Sequence, residues 1–210
     1  VKGAFHKLLP VCSHETTGKD APPQPLTPER RAALAALCEA QGLQGLRVLA
    51  VATANRPTQE RWAADDEHDL VFEGLLLFAD PPKTGAAQAI AELSHRGIGV
   101  KLITGDNRHV AAHIAQAVGL HGTHLLCGEE IDRLSDDALL HRVRHTVVFA
   151  QTEPHHKARI VRSLRRAGYC VGYLGDGIND APALQAAHVG ISVEGAVDVA
   201  RQSADVVLTR

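Results

Sequence analysis

The sequence predicts an α/β protein: a doubly wound parallel sheet preceded by part of an α+β lobe. Residues 80–210 alternate short apolar runs with helical patterns, which is typical of parallel strands and their crossover helices. Residues 1–79 contain strands, a helix and polar connections without that alternation. Glycines and carboxylates follow the apolar run 169–174, as they do where a buried strand opens into a ligand-binding loop. We therefore predict a domain boundary between residues 79 and 80.

The composition indicates a soluble protein that does not bind nucleic acid. The chain has 210 residues and a formal net charge of −2, and its basic residues form no stripe. The apolar run 70–79 is interrupted by Glu73 and is too short to cross a membrane. Four cysteines without a C-x-x-C pair suggest neither a zinc knuckle nor a disulfide framework. Because the chain contains no Met, we expect it to be a piece of a longer protein.

Residues 1–79 are predicted to form one main helix and two long strands. The proline-rich residues 13–28 are expected to form an exposed loop. Thr27 is predicted to cap a helix that starts at Pro28, because threonine followed by proline is a typical helix start. Leu34, Leu37 and Cys38 are predicted to share one face of this helix, which Gly42 ends. Strands are predicted at 46–52 and 70–78, with a polar connection at 55–69.

Residues 80–210 are predicted to alternate helices and strands throughout. The first helix is expected to face the core with the apolar residues that share one helical face, Ala87, Ile90, Ala91 and Leu93. The predicted helices are 84–96, 108–118, 135–144, 155–167, one from 181, and 197–202. The predicted strands are 100–103, 124–127, 146–150, 169–174, 189–193 and 205–208.

Residues 175–182, Gly-Asp-Gly-Ile-Asn-Asp-Ala-Pro, carry the clearest chemistry. Asp176 and Asp180 are four residues apart, with Asn179 beside the second. At ~4 Å and an effective dielectric constant near 20, two carboxylates repel by roughly 4 kcal/mol. Mg²⁺ relieves such repulsion and prefers carboxylate, water and phosphate oxygens, so we predict that Asp176 and Asp180 bind Mg²⁺. The alternative is that Asp180 only caps the helix that starts at Ala181.

Two further stretches at predicted strand ends offer groups that bind an anion. Thr104, Gly105 and Asp106 precede a helix, so the hydroxyl and the backbone N–H groups are suited to a phosphate. Lys157 opens the helix after the strand 146–150 and can pair with a phosphate oxygen. The alternatives are a helix-capping role for the threonine or aspartate and a solvated surface lysine. Together with residues 175–182, which we call the acidic loop, these stretches predict phosphoryl transfer, but they supply no nucleophile.

In order and spacing, the three stretches resemble the haloacid dehalogenase superfamily, and in detail its P-type ATPases. Lys2 and Gly3 are similar to the adenosine-site motif of these pumps, and Arg47 to the phosphate-contacting arginine of their nucleotide-binding lobe. Asp80 begins Asp-Pro-Pro-Lys, which resembles the hinge into their phosphorylation domain. The bacterial magnesium-importing branch is the most similar one at residues 40–43, 46–53, 134–137, 152–161 and 190–200.

The resemblance implies a parent protein that hydrolyses ATP through an aspartyl-phosphate and transports a cation, with Mg²⁺ as the expected ion. Residues 1–79 would be the C-terminal part of its nucleotide-binding domain, and residues 80–210 most of its phosphorylation domain. ATP and Mg²⁺ are the implied cofactors. The implied partners are the transported cation and the actuator and transmembrane domains of the same polypeptide, and the implied location is the cytoplasmic face of the inner membrane.

The resemblance also implies a role for each site residue. Asp176 would hold Mg²⁺, while Asn179 and Asp180 would order the metal loop. The phosphoryl oxygens would be bound by Lys157 and Thr104, on a loop supported by Gly105 and Asp106. The residues implied for cofactor binding are Lys2, Gly3, Arg47 and Asp80. The family motif Asp-Lys-Thr-Gly-Thr, which carries the phosphorylated aspartate, does not occur in this chain. We expect it before Val1, so that this chain lacks the nucleophile strand and does not phosphorylate itself.

Two other functions stay open at this point. Asp80 follows an apolar run and has a threonine four residues later, as the nucleophile motif of haloacid dehalogenase phosphatases does. In that case the chain is a self-contained phosphatase, although Pro82 stands where such enzymes carry a second acid. The third function is that of a non-catalytic fragment that binds nucleotide or Mg²⁺.

Overall fold

The computed structural model of the chain describes residues 1–18, 21–55, 66–122 and 124–209. The chain divides into two compact units, Val1–Pro81 and Pro82–Arg210, which we call the first unit and the second unit. Most of the predicted polar connection 55–69 lies outside the described residues. None of the described helices is both long and apolar enough to span a membrane.

The first unit is built on a five-stranded sheet in the order β1-β4-β5-β2-β3. Its strands are β1 (Lys2–Ala4), β2 (Cys12–Glu15), β3 (Gln24–Pro25), β4 (Leu46–Thr53) and β5 (Leu70–Ala79). Its helices are α1 (Phe5–Leu8), a 3-10 turn (Leu9–Val11) and α2 (Pro28–Leu43). The antiparallel ladder between β4 and β5 runs the length of β4 and joins the two long strands of the sheet. Its core includes Leu34, Leu70 and Phe72.

The predicted start of α2 is found in the structure, but the loop predicted before it is found only in part. Thr27 Oγ1 accepts a hydrogen bond from the backbone N–H of Arg30 at 3.2 Å, which confirms the predicted cap. The prediction that residues 13–28 form a loop is wrong in part, because most of β2 and all of β3 lie within this range. The strand β2 pairs with β3 and with β5. The residues predicted to share a face of α2 are not equally covered, because Leu34 is buried while Leu37 is 48% exposed.

The second unit contains parallel strands connected by helices, which confirms the predicted α/β class. Its strands are β6 (Leu102–Ile103), β7 (Leu125–Cys127), β8 (Val148–Ala150), β9 (Gly172–Leu174), β10 (Val189–Val193) and β11 (Val206–Leu208). Its helices are α3 (Ala86–His95), α4 (Arg108–Ala117), α5 (Gly128–Arg133), α6 (Asp136–His145), α7 (Pro154–Arg166), α8 (Ala181–Ala186) and α9 (Asp198–Ser203).

These strands form two three-stranded sheets, in the orders β6-β8-β7 and β11-β10-β9, rather than one continuous sheet. The division arises because β6 and β9 each have only one ladder partner among the described residues. A large core, which includes Phe149, Ile160 and Leu184, fills the unit. The two edges β6 and β9 are the strands from which the predicted phosphate and metal loops emerge.

The inward face predicted for α3 is wrong. No residue of α3 is buried, and Leu93 is 37% exposed. Ala87, Ile90 and Ala91 line an open groove of about 400 Å³ instead, together with residues near Leu120. Helical spacing identified the apolar face of α3 correctly, but the described residues do not fill the space in front of it.

Candidate active site

Three loops at the carboxyl ends of parallel strands form the candidate site of the second unit. Residues 104–106 follow β6, residues 151–157 follow β8, and residues 175–180 follow β9. Backbone hydrogen bonds join the first two loops, because the N–H of Gln151 donates to the carbonyl of Asp106 at 2.8 Å. Thr152 adds two bonds to the carbonyl of Thr104, one from its N–H and one from its hydroxyl, both at 3.0 Å. The fold therefore holds residues 104–106, which we call the threonine loop, against the residues just before α7, the helix that carries Lys157.

The threonine loop is closed by its own side chains. Thr104 Oγ1 donates to Asp106 Oδ2 at 3.0 Å and accepts from the N–H of Asp106 at 3.1 Å. The following helix, α4, is capped by Asn107, whose Oδ1 accepts from the N–H groups of His109 and Val110, both at 3.0 Å. The alternative that Thr104 or Asp106 is the helix cap is therefore wrong, and Asp106 supports the turn that holds the Thr104 hydroxyl.

Asp180 is the centre of a buried hydrogen-bond network. Its Oδ1 accepts from Lys157 Nζ at 2.7 Å and from the Tyr173 hydroxyl at 2.8 Å. Its Oδ2 accepts from the backbone N–H of Gly177 at 3.1 Å. The side chains of Asp180 and Lys157 are only 11% and 14% exposed, so this ion pair is largely shielded from water. The structure thus brings two residues predicted from sequence, Lys157 and Asp180, into direct contact.

The network determines the charge state of Asp180. Burial by itself raises the pKa of Asp180, but the hydrogen bonds from Lys157, Tyr173 and Gly177 outweigh it and leave the pKa below its usual value. The pKa of the Tyr173 hydroxyl is raised, first by burial and then by the carboxylate that it contacts. At neutral pH, Asp180 is therefore an acceptor and Tyr173 a donor.

The glycine at the start of the acidic loop is a steric requirement of this network. A Cβ atom on Gly175 would lie 2.6 Å from Asp180 Cβ and 3.0 Å from Tyr173 Cε1. The alternative that Asp180 only caps the next helix is wrong, because its side chain makes no capping bond to α8. The loop instead folds back so that Asp180 faces Lys157.

Asp176 is the carboxylate of this loop that fits a metal ion. Its side chain is exposed and makes no hydrogen bond within the part of the chain that the structure describes, while its carbonyl accepts from Val197 N–H at 3.1 Å. The Asp180 oxygens, by contrast, already accept three hydrogen bonds. Mg²⁺ in proteins is typically coordinated by one or two carboxylates, while water and phosphate oxygens supply its other ligands. Asn179 is exposed on the same turn.

The remaining predicted residues belong to the first unit. Lys2 and Gly3 lie on β1, opposite Val51 and Ala50 of β4, and Arg47 is near the start of β4. Lys2 and Arg47 are both exposed. Asp80 follows β5, which pairs with β4 and β2 in the first unit's own sheet. Asp80 is therefore not at the end of a strand in either parallel sheet.

Sequence reasoning missed Tyr173 and Thr152. Tyr173 lies in the apolar run 169–174, and the signal for its role is that a tyrosine at a buried position needs a partner for its hydroxyl. Thr152 begins the family-like stretch 152–161, and its hydrogen bonds to Thr104 join the ends of two strands. Gln151, with φ at 51°, is also held in the left-handed region by this junction.

A histidine cluster next to Lys157 is held by hydrogen bonds. Ligand atoms of Asp132, His155 and His156 lie within 4.8 Å of one another. His156 Nδ1 accepts from the N–H of Glu153 at 2.9 Å, and Nε2 faces Asp132 Oδ1 at 2.8 Å. The network assigns the proton to Nε2, so both ring nitrogens of this buried histidine are already used. The cluster fixes the first turn of α7, which carries Lys157.

Residues 32–188 match the protein family described as haloacid dehalogenase-like hydrolases, and the chain belongs to this family. Over 208 residues it is 46% identical to the magnesium-transporting ATPase, P-type 1, of Salmonella typhimurium strain LT2 and 45% identical to that of Escherichia coli K12. It is 34% identical over 215 residues to the calcium-transporting ATPase 1 of Saccharomyces cerevisiae.

These alignments cover 99% of the chain for the magnesium-transporting relatives and 100% for the calcium-transporting one. The chain spans 23% of the length of each of these relatives. The resemblance to P-type ATPases is confirmed, and the magnesium-transporting relatives are the more similar ones.

Proposed function

We propose that the chain is part of the ATP-binding and phosphorylation region of a P-type ATPase, which couples ATP hydrolysis through an aspartyl-phosphate to transport of a cation, Mg²⁺. The observation that carries the proposal is the buried Lys157–Asp180 pair beside the exposed carboxylate of Asp176, at the ends of parallel strands. The similarity to magnesium-transporting ATPases over 99% of the chain supports it. The parent protein acts at the cytoplasmic face of a membrane.

Each residue of the second unit has a task in this proposal. Asp176 holds Mg²⁺, and Asn179 and Asp180 order the loop around it. When bound, Mg²⁺ supplies positive charge to the phosphoryl oxygens. Lys157 binds those oxygens directly, and so does the Thr104 hydroxyl once its one proton turns from Asp106 to the phosphate, on a turn shaped by Gly105 and Asp106.

The phosphorylated aspartate belongs, in this proposal, to another segment of the same polypeptide. The motif Asp-Lys-Thr-Gly-Thr does not occur among the 210 residues. The edges of β6 and β9 are open in the described part of the chain, so a further parallel strand can pair with them. Such a strand would end beside Thr104 and Asp176, where a nucleophile is needed.

The first unit is proposed to bind ATP as the C-terminal part of a nucleotide-binding domain. Lys2 and Gly3 line the adenosine site on β1, and Arg47 on the adjacent strand contacts the phosphates. Asp80 is part of the hinge to the second unit. The remainder of the polypeptide supplies the membrane domain through which the cation passes.

An assay with acetyl phosphate and ATP tests this proposal against a self-contained phosphatase. We expect the chain to bind ATP in a calorimetric titration and to leave acetyl phosphate intact in the presence of Mg²⁺, because its nucleophile is elsewhere. Asp80→Asn should change neither result. Mg²⁺-dependent hydrolysis that Asp80→Asn abolishes would make Asp80 the nucleophile and overturn the proposal.

A further inference from the structure

Tyr173 places a hydroxyl in the candidate site. A phenylalanine at this position would fill the same space without the hydroxyl. The residue lies in β9 and is 8% exposed, and its ring belongs to the large core of the second unit. Its hydroxyl donates to Asp180 Oδ1 at 2.8 Å. That oxygen also accepts from Lys157 Nζ at 2.7 Å, so one carboxylate oxygen is shared by two donors.

We propose that Tyr173 is a positioning residue: its hydroxyl keeps Asp180 hydrogen-bonded when Lys157 turns from that carboxylate to a phosphoryl oxygen. This role rests on the proposed function, since it assigns the phosphate to Lys157. It concerns a residue that neither the sequence motifs nor the similarity to transport ATPases singled out.

The need for a second donor follows from the burial of Asp180. The residue is 8% exposed, so an oxygen that loses its donor is not fully compensated by water. If Lys157 leaves, Oδ2 keeps the N–H of Gly177, but Oδ1 depends on Tyr173 alone among the described residues. Removing one partner of a shielded ion pair is costly when the remaining charge has nothing to bond. The hydroxyl therefore lowers the free energy of the state in which Lys157 holds phosphate.

The local packing keeps the hydroxyl in place. Gly175 lies against the tyrosine ring, where a Cβ would be 3.0 Å from Cε1, so the ring fits tightly under the acidic loop. Within the described part of the chain the hydroxyl bonds to Asp180 Oδ1, while the backbone N–H of Gly177 holds the other oxygen of that carboxylate. Tyr173→Phe keeps the ring and its packing and removes only the donor.

The experiment compares Tyr173→Phe with Tyr169→Phe. Tyr169 is the other tyrosine of the chain and is 48% exposed, so its substitution removes a hydroxyl outside the site. Each protein is titrated first with Mg²⁺ and then with inorganic phosphate at saturating Mg²⁺. We expect Tyr173→Phe to weaken phosphate binding about tenfold, as a lost hydrogen bond to a charged group does, and to leave Mg²⁺ affinity within about twofold. Tyr169→Phe should match the wild type in both titrations.

A double-mutant cycle separates positioning from a general structural role. In the Lys157→Gln background no ammonium moves to the phosphate, so Tyr173→Phe should weaken phosphate binding no further. An equal loss in both backgrounds would overturn the positioning role. So would wild-type phosphate affinity in Tyr173→Phe, and so would a parallel loss of Mg²⁺ affinity.

The wild-type titration separates this inference from the proposed function. If the wild type binds Mg²⁺ and phosphate and only the Tyr173 effect is missing, the positioning role alone is wrong. If the wild type shows no Mg²⁺-dependent phosphate binding at all, the proposed function is wrong and the role of Tyr173 falls with it.

Discussion

The two units hold their candidate ligand-binding residues in different ways. In the first unit, Lys2 and Arg47 are exposed side chains on strands of a mainly antiparallel sheet. In the second unit, Lys157, Tyr173 and Gly177 converge on one buried carboxylate at the end of parallel strands. A strand-end site of this kind is organised before its ligand arrives, because its loops are bonded to one another. Substitutions in the second unit's site should therefore affect stability as well as binding.

The largest effect is expected from Asp180→Ala. The substitution leaves the Lys157 ammonium and the Tyr173 hydroxyl without their shared acceptor in a shielded site. We expect the free energy of unfolding to fall by about 3 kcal/mol. This change is measured by urea denaturation of the variant and the wild type. Asp198→Ala is the matched control, since it removes an aspartate from an exposed pair with Arg201 and should cost less than about 1 kcal/mol.

The pH dependence of unfolding checks the cause of that loss. The pKa of Asp180 is lower in the folded chain than its usual value, so its contribution is present above the unfolded pKa and is lost as the pH falls through the folded pKa. The wild type should therefore lose stability on the acid side by more than Asp180→Ala does. Identical acid limbs for the two proteins would show that Asp180 contributes no such stability.

The next largest effect is expected from Gly175→Ala. The added Cβ would lie 2.6 Å from Asp180 Cβ, so the acidic loop must move away from β9. We expect a loss of about 2 kcal/mol in the free energy of unfolding, together with weaker Mg²⁺ binding. Gly195→Ala is the control, because its Cβ would meet no atom within 4 Å. Equal stability of the two variants would mean that the loop is not closely packed.

A smaller effect in the first unit sharpens the comparison. Thr27→Ala removes the side-chain acceptor for Arg30 N–H at the start of α2 and should lower the free energy of unfolding by about 1 kcal/mol. Thr27→Ser keeps the acceptor and should stay close to the wild type. Because α2 carries none of the candidate site residues, Mg²⁺ affinity should be unchanged in both. A loss of Mg²⁺ affinity would contradict the separate description of the two units.

Local patterns in the sequence predicted what depends on local structure. The cap at Thr27 and the strand 189–193 follow from short-range preferences, and both are found in the structure. Helical spacing also picked out Ala87, Ile90 and Ala91, but whether they are buried depends on what fills the groove beside them. The strand β2 was missed because it pairs with β5, more than 50 residues away, and β3 was missed because it pairs in turn with β2.

The candidate site shows the same division. Glycines and carboxylates after an apolar run predicted where the loop is, and the parallel strands explain why α7, the helix that carries Lys157, lies beside it. The hydrogen bond of Tyr173 to Asp180 could not be read from spacing, because it depends on how the acidic loop folds back across the end of β9. For the same reason, the spacing of the carboxylates did not distinguish Asp176, whose carboxylate is exposed, from Asp180, whose oxygens are occupied.

A Mg²⁺ titration of the wild type, Asp176→Asn and Asp137→Asn tests the central claim most directly. Asp137 is an exposed aspartate paired with Arg166 at 3.2 Å, so Asp137→Asn controls for the loss of one negative charge. The account predicts that Asp176→Asn weakens Mg²⁺ affinity by at least roughly tenfold, while Asp137→Asn leaves it within about twofold. Equal Mg²⁺ affinity in all three proteins would contradict the assignment of the metal to the acidic loop.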